Sequence, residues 1–407
     1  MKVLFIVGTC LSKNTSANMS HNSYIRGLVE NGCEVDVVMA KDSWGETDEV
    51  LKKIEGVNYI EFKSNSIADR IRATFRRNTT NVPSTTSDVD SLGATVKNTS
   101  RFSLRDIIKK IFFTIFPQDK IYPLDKVWLE NAKSFKSCDR YDLVISNSSP
   151  AASHKLAKIL IENGNIETDR WIQIWEDPWS HDIYGKHSPR IEQEEKELLD
   201  SATEVFYVSP ITTEYQKRFF PDAALKMSTI ALPFFDFEEN NITPRSSEIT
   251  FGYFGDYYSH TRNLKPFFNV LDKSGRKGFV YGDTDLSLKS ESVDIHSRVT
   301  LDVLKEIQNK TMVLVHLSNL YGGQIPGKIY HYSATRKPIL FILDGTPKEQ
   351  DILHGYFSGF NRYYFCNNSE ESIAEAIDRI EKDLAIKEEK PVLQFSPRKV
   401  VENILNK

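Results

Sequence analysis

The stretch GGQIPGKIYHYSATRKPILFI, from Gly322 to Ile342, gathers residue types that hold an anion. Gly322 and Gly323 let the backbone approach a ligand closely. Pro326 suits the first turn of a helix predicted over residues 326–334, whose free N–H groups and dipole favour negative charge. Lys328 adds a mobile cation at that end, and Gln324, Ile325 and His331 belong to the same corner. The helix leads through Arg336-Lys337 into an apolar strand. A diphosphate would therefore rest at the carboxyl edge of a parallel sheet. A second polar set follows two strand-like runs in the first half: Asn147 and Ser148, then Glu176, Asp177, Trp179, His181 and Asp182. Groups of this kind can present a hydroxyl or accept its proton. Plainer readings stand beside these: Asp177 could cap a helix or pair with Arg170, and His331 could be an interface histidine. His154 reads as structural, and the acidic run Glu192–Glu197 as a solvated helix face rather than a metal site.

Positioning such groups requires sheets whose loops meet at one edge. Strands are predicted at residues 2–7, 34–39, 57–62, 143–146, 171–175 and 205–209, each rich in β-branched or aromatic residues. Tyr24, Ile25, Leu28 and Val29 repeat at helical spacing between the first two. The pattern restarts with strands at 249–255, 278–282, 312–317, 338–343 and 363–366, and helices at 264–273, 300–309 and 370–384. Strands alternating with helices imply parallel sheets covered on both faces. The expected architecture is α/β: two Rossmann-like, doubly wound domains facing a cleft. The first spans 1–235 and the second 236–392, with a hinge near 233–247. In the tail 393–407, Val400, Val401, Ile404 and Leu405 have the spacing of a helix that packs back on the first domain.

A chain of 407 residues suits two domains, and 40% hydrophobic with 27% charged residues describes an ordinary globular protein. The net charge of −4 gives no reason to expect a nucleic-acid partner. None of the four cysteines stands in a CxxC pair, so no zinc or redox motif is suggested, and scattered thiols fit a reducing cytoplasm. Only five apolar residues follow Lys2, too few for a signal peptide, and no run reaches the roughly 18 needed to span a membrane. The expected location is cytoplasmic. One stretch departs from the alternation. Residues 66–116 carry nine Lys or Arg against four Asp, and end in a basic, aromatic segment around Lys109-Lys110. That composition suits peripheral contact with an anionic membrane face, or else an internal helix with a basic edge.

The Gly322–Ile342 stretch resembles the donor-site segment of GT-B glycosyltransferases of the family 4-like kind, whose pattern runs approximately GxxxPxKxxEYxAxGKPIL. The match covers Gly322, Pro326, Lys328, Tyr332, Ala334, Lys337 and Pro338. It departs at His331 and Gly323, where glutamates are usual. Residues 249–263 resemble the family's first strand and cationic loop of the second domain, with Arg262 as the cation and Asp256 where many relatives carry arginine. FVYGD, ending at Asp283, resembles the next strand and the loop near the nucleobase. Residues 141–160 and 170–179 resemble the segments lining the acceptor side. The resemblance implies a hexosyltransferase that uses a nucleotide-sugar donor, retains anomeric configuration and needs neither metal nor cofactor. Donor contacts would fall at Gly8, Gly255, Arg262, Gly282, Gly322, Gly323, Gln324, Ile325, Pro326, Lys328 and His331. Acceptor contacts would fall at Asn147, Ser148, Glu176, Asp177 and Trp179, with Asp177, Arg262 and Lys328 in catalytic roles. The acceptor would be a saccharide, or one linked to a polyprenyl diphosphate, as in capsule, O-antigen or exopolysaccharide assembly. Two other readings share the fold: a nucleotide-sugar 2-epimerase and a non-catalytic nucleotide-sugar binding protein. A dinucleotide enzyme is disfavoured, because Gly8-Thr9-Cys10 lacks GxGxxG.

Overall fold

The computed structural model describes residues 1–11, 15–41, 51–64, 121–122, 124–183, 185, 188–235, 248–384 and 387–407. The basic stretch 66–116, and residues 236–247 of the predicted hinge, lie outside the described residues. Two parallel sheets carry the chain. The first contains β1 (Lys2–Val7), β2 (Glu34–Lys41), β3 (Val57–Lys63), β4 (Leu143–Ser148), β5 (Trp171–Trp175), β6 (Glu204–Tyr207) and β7 (Met227–Thr229). Their order is β3-β2-β1-β4-β5-β6-β7. The second contains β8 (Thr250–Phe254), β9 (Lys277–Tyr281), β10 (Val293–His296), β11 (Val313–Leu317), β12 (Ile339–Leu343) and β13 (Tyr363–Asn367). Its order, β10-β9-β8-β11-β12-β13, repeats the winding of the first. In both, the direction of winding reverses beside the first strand, which opens a crevice at the carboxyl ends of the strands.

Two strands, β7 and β10, escape the sequence reading. Both are short edge strands, and β10 alternates buried and wet positions, so neither carries a continuous apolar run. The central strands are the opposite case: VLFIV of β1 and ILFIL of β12 are buried throughout, because helices cover both faces. Val3, Phe5 and Val7 pack with Tyr24, Ile25 and Leu28 of helix α1 (Ser16–Glu30), in a core that continues into the second sheet through Tyr330, Phe341 and Phe357. Leu4 and Ile6 face a separate core with Trp128, Leu156 and Leu160. Tyr330, buried between the domains, donates its hydroxyl to the Val208 carbonyl at 2.8 Å.

The helix Pro397–Leu405 lies against α1, with Val400, Val401 and Ile404 fully buried. Asn31 donates its amide to the Arg398 carbonyl at 2.9 Å, and Arg170 reaches the Ile404 carbonyl at 2.9 Å. Gly27 is required here, since a Cβ would overlap the Pro397 carbonyl.

Two expectations are corrected. The helix predicted over 326–334 forms only at Lys328–Tyr332, with Gly327 at its cap and Pro326 ahead of it. Five residues make too short a dipole to hold an anion, so the charge at this corner rests on side chains. In the acidic run Glu192–Glu197, Glu195 is fully buried, not solvated. It accepts the backbone N–H groups of Trp179 (3.2 Å) and Ser180 (2.7 Å) and so fixes the loop after β5.

Candidate functional site

At the crevice between β8 and β11 lies a cavity of about 570 Å³. Phe254 and Gly255 at the end of β8, Tyr281 and Gly282 at the end of β9, and His316 in β11 form its sheet side; Ser16 and Met19 face it from the start of α1. Arg262, Arg298 and Lys328 bring positive charge to its wall, and Asp256 brings a carboxylate. Arg298 donates from Nε to Asp256 at 2.9 Å and from Nη2 to the other Asp256 oxygen; its Nε also lies 3.3 Å from Asp283. Asp256 further accepts the Asp283 N–H at 3.0 Å. Burial works against the Asp256 charge, but the Arg298 guanidinium and the Asp283 N–H outweigh it and hold the carboxyl below its ordinary value.

Lys328 is half-buried and has no hydrogen-bond or ion-pair partner among the described residues. Burial pushes its ammonium down to about 8; Asp256 opposes this, while Arg298 and Arg262 add to it. The cavity thus sets Arg262, Arg298 and Lys328, with Lys305 and Lys337 also on its lining, against the Asp256 carboxylate, an arrangement that an incoming polyanion relieves. His316 is buried with its Nε2 unpartnered among the described residues. Burial, then Arg262, push it down to about 3, so it stands as a neutral imidazole on the edge of Phe341. His331 also lines the cavity, where its Nδ1 accepts the Phe235 N–H at 3.4 Å.

Across the cleft, the ends of β4 and β5 carry the first-domain set. Asn147 and Ser148 are buried, and neither the Asn147 amide nor the Ser148 hydroxyl has a hydrogen-bond partner among the described residues. Glu176 faces His21, from α1, at 3.2 Å, and the His21 Nδ1 lies 2.7 Å from the Thr9 carbonyl. Burial alone would lower His21; the Glu176 carboxylate and the Thr9 and Ser148 carbonyls outweigh it and hold the imidazole above its ordinary value. Asp177 meets the second domain directly, accepting from the Gln324 amide at 2.6 Å, while Asp182 accepts from the same nitrogen at 3.3 Å. Water reaches Asp177, yet enclosure by protein pushes its carboxyl up to about 6 against the pull of Gln324, with Glu176 and Asp182 adding to the rise. Trp179 stacks near Tyr122 at 5.4 Å.

Gly255, Arg262, Gly282, Pro326, Lys328 and His331 are thus brought to one cavity. The neighbouring residues make an interdomain contact. Gly322 and Gly323 have φ of +95° and +77°; a Cβ on Gly322 would overlap Ile183, and one on Gly323 would crowd Ile211, both of the first domain. The Gly323 carbonyl accepts from Thr212 at 3.0 Å and from Ser209. Ile325 packs on the shared core. Gly8 stands against Pro150, with no room for a Cβ between them. Lys337, a motif position, donates to the Gln308 and Asn309 carbonyls at the end of the helix Leu301–Lys310.

No family model matches the sequence, and neither does any curated protein. Solved structures do match over the whole chain. A glycosyltransferase from Rickettsia africae ESF-5 is 14% identical with a TM-score of 0.54, covering 100% of this chain and 97% of its own. HepE from Anabaena, solved in complex with UDP, is 13% identical with a TM-score of 0.55 and coverage of 100% and 99%. A UDP-forming α,α-trehalose-phosphate synthase from Burkholderia vietnamiensis is 9% identical, with a TM-score of 0.52 and coverage of 100% and 95%. The chain has the GT-B fold. Within this GT-B frame the cavity is lined mainly by the second Rossmann-like domain, with Ser16 and Met19 from the first; Asp177 meets Gln324 outside its lining. Among the described residues no group of His, Cys, Asp or Glu is arranged to hold a metal ion, and no helix is long and apolar enough to cross a membrane.

Proposed function

We propose that this protein is a glycosyltransferase that moves a sugar from a nucleoside-diphosphate donor to a saccharide or lipid-linked saccharide acceptor. The observation that carries the reading is the cation-lined cavity at the crevice of the second sheet, where Lys328 makes no hydrogen bond or ion pair among the described residues. A diphosphate is the polyanion whose size and charge fit that wall, and HepE, which shares the fold, was solved with UDP. Arg262 and Lys328 would stabilise the charge that grows on the departing diphosphate, which is where such sites gain most of their rate. The chain's own cations supply that neutralisation in the proposed mechanism. Asp177, pushed up to about 6, is ionised at neutral pH and poised to accept the acceptor's proton. Asn147, Ser148 and Glu176 offer hydrogen-bonding groups beside it. Retention of configuration is what the resemblance to the family 4-like motif implies. The basic, aromatic composition of residues 66–116 supports a lipid-linked acceptor, since it would bring the enzyme to an anionic membrane face.

The test is a thermal-shift screen against UDP, GDP, CDP, dTDP and their common sugar conjugates, followed by donor turnover with and without saccharide acceptors. A selective rise with one nucleoside diphosphate, and turnover that falls at least about 100-fold in Lys328→Ala, are expected. Conversion of the donor sugar without any acceptor would replace the transferase by an epimerase. Indifference to all nucleotides would remove the donor site from the reading.

A further inference from the structure

The donor loop after β8 carries an aspartate, Asp256, on the wall of a cavity proposed to hold an anion. Taken alone, that charge repels a diphosphate. The structure shows what accompanies it. Arg298, reaching across from the loop after β10, places Nε and Nη2 on the two oxygens of Asp256, a fork-on-carboxylate pairing that fixes the plane of the guanidinium. Asp283 lies 3.3 Å from the same Nε and donates its own N–H to Asp256, so the loops after β8, β9 and β10 are tied together. Arg298 lines the cavity, and its Nη1 makes no hydrogen bond among the described residues. Its side chain remains 68% exposed. Both Arg298 and Arg262 act on Lys328 electrostatically, which places the three cations in one field.

We propose that Arg298 binds the donor's diphosphate and that Asp256 is the residue that positions it. The inference rests on the donor-site reading above and adds to it a cation supplied from a separate loop, with its remaining N–H groups directed by a carboxylate rather than by the backbone. Arg298 would contact the diphosphate with one edge of its guanidinium while the other edge stays on Asp256. A fork held in this way loses less conformational freedom on binding than a free arginine would.

Calorimetric titration of the full-length protein tests this, using whichever of UDP, GDP, CDP or dTDP binds best, and its parent nucleoside. Arg298→Ala is expected to weaken the nucleoside diphosphate about 10- to 100-fold while leaving the nucleoside within about twofold. Arg298→Lys should recover only part of the loss, because it keeps the charge without the fork. Asp256→Asn keeps an acceptor for the Asp283 N–H but removes the charge. Electrostatics alone predicts tighter diphosphate binding in that variant, whereas a positioning role predicts weaker binding and no further loss when it is combined with Arg298→Ala. Equal losses for nucleoside and diphosphate, no loss in Arg298→Ala, or tighter binding in Asp256→Asn would each overturn the proposal. If the unaltered protein binds no nucleotide, the donor-site reading itself fails and takes this inference with it. That outcome is told apart by the wild-type titration.

Discussion

Lys328 and Asp177 titrate on opposite sides of neutrality, and their directions set the expected pH behaviour. Lys328 is pushed down to about 8, so it carries its charge below that value and loses it as pH rises. Asp177 is pushed up to about 6, so it accepts a proton usefully only above that value. Turnover should therefore rise through about pH 6 and fall through about pH 8, with diphosphate affinity declining only on the alkaline limb. Lys328→Arg keeps its charge and should flatten the alkaline limb alone, which a pH series of turnover and affinity would show; an unchanged limb would clear Lys328 of the role. Both residues were legible in the sequence, because a lysine after Gly-Gln-Ile-Pro-Gly and an acid at a strand end are local patterns. Arg298 was not. Its partner Asp256 lies 42 residues away, and the strand that delivers it, β10, was too short and too wet to be read. His21 was equally silent, a histidine in a polar helix start that acquires meaning only when folding brings Glu176 to it.

Among the elements, α1 and the helix Pro397–Leu405 make a contact that leaves no room for substitution at Gly27. Gly27→Ala would drive a methyl into the Pro397 carbonyl and Val401, and should cost about 1–3 kcal/mol by denaturant unfolding. A smaller loss would mean that the tail yields easily. The central strands were legible because VLFIV and ILFIL can only be buried on both sides. The short helix at Lys328–Tyr332 was misjudged for a physical reason. Pro326 and the following residues have helical composition, but the Gly323 carbonyl is committed to Ser209 and Thr212, and Gln324 to Asp177. A Gly323 carbonyl so committed cannot accept the N–H of a helical first turn, and the helix begins only after Gly327. No local propensity reports an attachment to another domain.

At the scale of the molecule, the two domains meet through few but well-formed polar contacts around a continuous core. Tyr215 donates to Glu349 at 2.8 Å, Tyr330 to Val208, and Thr212 and Ser209 to Gly323. Removing both hydroxyls at the last contact, in Ser209→Ala with Thr212→Val, leaves the Gly323 carbonyl without its two side-chain donors. If domain contact aligns donor and acceptor, turnover should fall about tenfold while nucleotide affinity changes less than about threefold. A parallel fall in both would place these residues in nucleotide binding instead. Length alone suggested two domains; the extent of their shared core became visible only when Tyr330, Phe357 and Phe395 were seen beside Val7 and Tyr24.

The return of the chain has a topological consequence. The polypeptide passes from the first sheet to the second between Phe235 and Thr250, and comes back with the helix that begins at Pro397. A single cut engineered between residues 236 and 247 would sever one crossing and leave the other, so each fragment would still contain part of the first domain. The nicked protein should run as one particle on a sizing column and separate only in denaturant. Split-protein pairs and single-domain expression would accordingly be better designed around residues 1–235 together with 397–407, a discontinuous unit, than around either half of the sequence.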